Sequence, residues 1–189
     1  SGIFEGSINI MLGSAVVDNS TLEVWGNDLI TVRYQDNLNA TGLLNQIRED
    51  SATLYEEGGI KIVENLAGNN VEISTLLIGD SIYIQIIDGD LDISKNIDTV
   101  FITIQSSTGD SAIMALWEND SHSRIFIGWF ETIYDTNGWY DLANVIEIKE
   151  TSVITVSYKD TDPVSVGLMR SDTVSSRLGY TGEPKVKEV

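Results

Sequence analysis

The sequence predicts an all-β fold made of antiparallel sandwiches of short strands. Three observations carry that expectation. Runs of β-branched and aromatic residues alternate with polar ones at the period of a half-buried strand. Each run stops at a cluster of Gly, Asp, Asn or Ser, the residues that turn a chain. Only two prolines occur, Pro163 and Pro184, and both lie outside the strongest runs.

Taken in order, the first third offers strands from Ile3 to Met11, Thr21 to Trp25 and Leu29 to Tyr34. Thr41 to Glu57 is the one candidate for a helix. Leu43, Leu44, Ile47 and Leu54 can share a helical face there, although the period is poor. The central run Ser81 to Ile87 ends at Asp88-Gly89-Asp90. Further strands are expected over Thr99 to Gln105, Ile125 to Tyr134, Val145 to Lys149 and Ser152 to Tyr158.

Parts of the chain repeat. Ser1-Gly2-Ile3-Phe4-Glu5-Gly6 recurs as Ser123-Arg124-Ile125-Phe126-Ile127-Gly128, an offset of 122 (126 − 4). Ile30-Thr31-Val32-Arg33-Tyr34-Gln35-Asp36 recurs as Ile154-Thr155-Val156-Ser157-Tyr158-Lys159-Asp160, an offset of 124 (160 − 36). Gly42-Leu43-Leu44 faces Gly167-Leu168-Met169 more weakly. A period of this size is that of a domain, not of a solenoid unit. The expected division is therefore a closing half-repeat over 1–41, a complete repeat over 42–162, and at 163–189 the opening of the next repeat or an assembly tail. The missing strands are expected from a longer parent chain, from a neighbouring subunit by strand exchange, or from the joining of the two ends.

Composition narrows the function. The 189 residues carry 29 acidic against 11 basic side chains, a formal charge of −18. That excess argues against binding nucleic acid, which needs a basic face. It suits a solubilising surface, binding of divalent cations, or salty surroundings. No cysteine occurs, so disulfides and thiolate metal sites are excluded, and the balance tilts toward a prokaryotic surface protein. No signal peptide is visible and no apolar run is long enough to span a bilayer. A start at Ser1 suggests a processed product or a fragment.

A resemblance sharpens this. Gly79-Asp80-Ser81-Ile82-Tyr83-Ile84 leads to the acidic loop Asp88-Gly89-Asp90-Leu91-Asp92, then to the strand opening Ile97-Asp98-Thr99-Val100. Leu116-Trp117-Glu118 follows, then the turn before Phe126 and Gly128, and last the strand Thr151 to Asp160, which Asn27 to Asp36 duplicates. This succession resembles the Ig-like repeat of archaeal surface-layer proteins, notably those of ammonia-oxidising archaea, and similar repeats of bacterial adhesins. Residues 77–162 match one full block and 1–36 the closing half of another. Ser123-Arg124 and Thr151-Ser152 depart from the family's glycine-containing turns. The resemblance implies tandem Ig-like sandwiches, a structural role at the cell surface, and self-assembly with copies of the same protein.

The candidate site residues are mostly carboxylates. Asp88, Asp90 and Asp92 stand at alternate positions, followed by Asn96 and Asp98, with Asp110 further on. Calcium takes six to eight hard oxygen ligands, and such a loop supplies several from one side. Glu118 and Asp120 are candidate contributors from neighbouring strands. The glycine and terminal Glu of an EF-hand are missing, and the plain alternative is a solvated acidic turn. Asp36, Asp160 and Asp162 end strands where domains would join. Asn19, Asn39 and Asn119 head glycosylation sequons in turn-like stretches.

Trp117, Trp129 and Trp139, with Tyr134 and Tyr140, read as core and sandwich edge; a carbohydrate platform would instead need exposed rings in a row. His122 is the one histidine, in a polar stretch where a solvated side chain is expected. No nucleophile elbow, Walker loop or dinucleotide fingerprint appears. The expectation is a non-enzymatic, extracellular building block of a surface layer or filament with structural calcium. The alternative is an adhesin or carbohydrate-binding module.

Overall fold

Alternation of buried and exposed side chains fixes the central strands. Ser81–Ile87 turns Ile82, Ile84 and Ile86 inward, Thr99–Ser106 turns Val100, Ile102 and Ile104, and Ile125–Tyr134 turns Phe126 and Phe130. The computed structural model describes residues 5–17, 19–38, 42, 44–66, 71–135, 144–160 and 167–179. These form thirteen strands: β1 Asn9–Leu12, β2 Thr21–Val24, β3 Leu29–Leu38, β4 Leu44–Thr53, β5 Gly59–Val63, β6 Thr75–Leu77, β7 Ser81–Ile87, β8 Thr99–Ser106, β9 Ser111–Glu118, β10 Ile125–Tyr134, β11 Val145–Ile148, β12 Val153–Lys159 and β13 Met169–Arg177. The protein is all-β. Among the described residues the only helical turn is a 3-10 turn at Gly89–Leu91, and no helix is long and apolar enough to cross a membrane.

The main sheet runs β5-β7-β10-β9-β8-β12-β13-β6, with β11 added in parallel along β10. β10 meets β9 through only two register pairs, Phe126↔Glu118 and Ile127↔Trp117. The sheet curls, bringing β5 against β12 and β13. The Asp172 carboxylate of β13 closes the seam by accepting the Ile62 amide of β5 at 2.6 Å. The enclosed apolar core is rich in Ile, with Phe126, Phe130 and Leu116 at its centre. Burial of such side chains is the main stabilising term, and truncating either Phe to Ala costs about 3–5 kcal/mol.

The N-terminal strands stand outside this sheet. β1 and β2 form a parallel pair, and β3 and β4 a separate antiparallel hairpin. Here the helix expected over Thr41 to Glu57 gives way to a strand. β4 pairs with β3 from Leu44↔Leu38 to Thr53↔Leu29, and Arg33 bridges Glu49 at 2.8 Å across the ladder. Asn45, at φ +57, is also incompatible with a helix interior.

The position 41/42 falls within the β3–β4 hairpin, and 162/163 falls between β12 and β13, which pair from Val153↔Ser175 to Lys159↔Met169. β13 places Val174 in the same core as β7 and β8.

Candidate cation-binding site

The loop after β7 is the chemically dense part of the molecule. Asp88 caps the 3-10 turn, its side chain accepting the Asp90 amide at 2.9 Å. At about three residues per turn, this turn breaks the strand rule that alternate residues share a face. The row Asp88, Asp90, Asp92 is therefore split into two carboxylate groups. Asp88 and Asp90 join Asp160, and Asp92 joins Asp98 and Glu118; in each group the acid oxygens lie within 4.8 Å of one another.

Each acid of the first group accepts at least one protein donor, although Asp90 Oδ2, like an oxygen of the second group, is buried without a hydrogen bond. Tyr158 donates its hydroxyl to Asp88 at 2.9 Å, the Glu56 amide donates to Asp90 at 3.1 Å, and Asp160 accepts from Arg170 at 2.8 Å and the Gly58 amide at 3.2 Å. Gly58 is required by this contact, since a Cβ there would lie 2.0 Å from the Tyr158 hydroxyl. Burial, with Asp160 and Asp90 adding negative charge, pushes Asp88 up to about 6 despite those donors. Burial beside Asp88 also raises the Tyr158 phenol.

The second group is built differently. Glu118 accepts the amides of Ser123 and Arg124, both at 3.0 Å, and that of Asp98 at 3.1 Å. Asp98 accepts the amides of Ile93 and Ser94 at 2.9 and 2.8 Å. Asp92 meets His122 Nδ1 at 3.1 Å through one oxygen, while its other oxygen is buried with no hydrogen-bond partner. Burial, reinforced by the Glu118 charge, raises the Asp92 pKa. Among the described residues no Lys or Arg bridges any of these three acids. Three converging carboxylates with an orphaned buried oxygen are a donor set suited to a hard divalent cation.

Of the two remaining predicted ligands, Asp110 lies elsewhere and Asn96 belongs to the turn before Asp98. Asn96 is exposed, its backbone tied into a turn by the Ser94 hydroxyl at 3.1 Å. Asp110 sits in the β8–β9 turn at the opposite end of those strands, where it accepts the Glu147 amide at 2.7 Å. Asp120, the other candidate beside Glu118, accepts the Ser121 amide next to it. Asn19 and Asn119 are exposed, while Asn39 and Asp162 lie outside the described residues.

Sequence reasoning missed Trp25. Its ring stacks on His122 with centroids 5.7 Å apart, and both line a hollow of about 330 Å³ with Asp28, Asp92 and Lys95. His122 is exposed, as expected of a loop side chain, and also lies between an aromatic ring and a carboxylate. Asn27, in the turn after Trp25, donates to the Asp90 carbonyl at 2.7 Å. The acidic loop is accordingly the joint between the N-terminal strands and the main sheet.

A second concave surface lies where β9 and β10 diverge. Trp117 and Trp129 are 56% and 49% exposed, and they line a groove of about 410 Å³ with Leu66, Ile127, Asn119 and Asn144. Neither ring belongs to the core, one half of the expectation of core and sandwich edge, because each sits at an outward position of its strand. Tyr134 is also exposed, and Trp139 and Tyr140 lie outside the described residues.

No protein-family model and no curated protein matches the chain.

Proposed function

We propose that the protein is a structural, non-catalytic cell-surface component. It is a building block of a surface layer or extracellular filament, assembled through Ig-like sandwich repeats, with calcium as structural cofactor. The observation that carries this reading is the Asp92, Asp98 and Glu118 group at the joint, with its orphaned Asp92 oxygen beside the Trp25–His122 stack. A cation there would draw the β7–β8 loop, the end of β9 and the His122 turn together. Sites of this charge in extracellular modules work at calcium concentrations of about 0.1–1 mM, the range outside cells.

The non-catalytic role is part of the proposal. Among the described residues the His122 ring hydrogen-bonds to Asp92, and the Ser94 hydroxyl nearby is committed to the Asn96 backbone. The test is light scattering and electron microscopy of the purified chain with calcium and with a chelator. Ordered polymers that dissolve on chelation are expected. A monomer under both conditions would remove the assembly and the cofactor from this reading.

The Trp117–Trp129 groove favours a second reading, an adhesin or carbohydrate-binding module. Exposed indole faces flanked by the amides of Asn119 and Asn144 offer stacking and hydrogen bonding to a sugar ring. A glycan screen discriminates the two, since the scaffold reading expects no saccharide bound at millimolar concentration.

A further inference from the structure

The N-terminal strands repeat, bond for bond, part of the main sheet. β1 and β2 pair in parallel from Asn9↔Thr21 to Leu12↔Val24, and β10 and β11 do the same from Glu131↔Val145 to Tyr134↔Ile148. The Gly13 amide then bonds Val24 as the Asp135 amide bonds Ile148. The turn after β2 has Asn27 at φ +66, and that after β11 has Thr151 at φ +63. Each is capped alike, by Asp28 on the Trp25 amide and by Ser152 on the Lys149 amide. The hairpins share a register: Ile30↔Ala52, Val32↔Asp50 and Tyr34↔Arg48 in one, Ile154↔Val174, Val156↔Asp172 and Tyr158↔Arg170 in the other.

One property differs. Val156 and Tyr158 are 0% and 1% exposed, whereas their counterparts Val32 and Tyr34 are 68% and 61% exposed. Ile8, at 58%, occupies the place of Phe130 at 0%. A two-stranded hairpin with an open apolar face is marginal in water. In the main sheet the equivalent face is covered by β5, β7, β8 and β9, the strands that open the fold.

We propose that the open face of β1–β4 is the inner face of a second sandwich, and that its partner is an opening-half sheet patterned like residues 59–118. The duplicate specifies the partner's chemistry. Tyr34 needs a buried carboxylate to receive its hydroxyl, as Tyr158 has Asp88, and Asp50 needs an edge-strand amide, as Asp172 has that of Ile62. A second copy of the described residues does not satisfy this need. Each copy carries two closing halves and one opening half, which its own β10–β13 already uses. This inference goes beyond the calcium and surface-layer reading and stands or falls independently of it.

The chain has no cysteine, so single reporters are clean. Val32→Cys is placed in the present chain and in a tandem chain carrying a second copy of residues 59–126 directly before Glu5. Thiol labelling at position 32 is expected to be fast in the first and on the order of 100-fold slower in the second. Val156→Cys provides the buried reference in both. Equal labelling at 32 with position 156 protected overturns the proposal, whether the added half folds separately or stays unfolded, because that same half folds against β12 and β13. A concentration-dependent dimer of the present chain, abolished by Val32→Asp, overturns the assigned partner in favour of a second copy.

Discussion

Asp92 binds His122 Nδ1 at 3.1 Å through one oxygen and buries the other without a partner. A carboxylate oxygen so placed loses its water without a replacement, a cost a bound cation would remove. Calcium or terbium titration should therefore give one site, with Trp25 sensitising terbium luminescence from the same hollow. Asp92→Asn should weaken binding at least tenfold, about 1.4 kcal/mol. Unchanged affinity in that variant would place the ion elsewhere.

Asp88 makes stability depend on pH. Its folded pKa of about 6 lies above its ordinary value of 3.8. The stability it contributes is thus complete below about pH 4 and is lost as pH rises through 6, on the order of 3 kcal/mol. Asp88→Asn keeps an acceptor for Tyr158 while removing the charge. Urea unfolding of the variant should show a shallower decline between pH 4.5 and 7 than the parent, and an identical slope would contradict this origin. The raised Asp92 acts in the same direction and remains in the variant, so the decline is reduced rather than abolished.

Gly26 sets the joint. A Cβ there would stand 2.3 Å from the backbone carbon and oxygen of Gly89, atoms that cannot rotate away. Gly26→Ala is expected to separate the β2–β3 turn from the acidic loop and break the Asn27–Asp90 bond. Trp25 fluorescence should shift to the red while the core transition persists. An unmoved spectrum would show that the joint tolerates the methyl group.

The groove between β9 and β10 gives the fourth expectation. If a saccharide binds, Trp129→Ala should weaken it by about tenfold or more while Phe101→Ala, exposed on β8, leaves it unchanged. Equal losses in both variants would indicate nonspecific contact.

β7, β8, β10, β11 and β12 were legible from their runs of β-branched and aromatic residues, whereas β5, β6 and β13 of the same sheet were not read as strands and only Leu116-Trp117-Glu118 of β9 was named. Ile125 to Tyr134 was read with the bounds the structure has, and Thr99 to Gln105 stops one residue short. β4 was not legible, since neither face of the hairpin is covered and Leu44-Asn45-Gln46-Ile47 mimics helical spacing. The acidic loop was recognised, but its division was hidden in the 3-10 turn, which no side-chain pattern marks. Asp160 lies beside Asp88 although 72 positions (160 − 88) separate them, a proximity no local pattern marks. Glu118 was named from sequence as a contributor, and the close pairing of β8 with β9 brings it beside Asp98.

The acidic loop touches the N-terminal turn on one side and holds two carboxylate groups of different character on the other. A proton at Asp88 relaxes one group, and a cation at Asp92 would brace the other. Bending at this joint is then resisted to a degree set by dissolved ions and acidity, with the amino-acid sequence unchanged. A filament built from such joints would be stiff in hard water and compliant in soft.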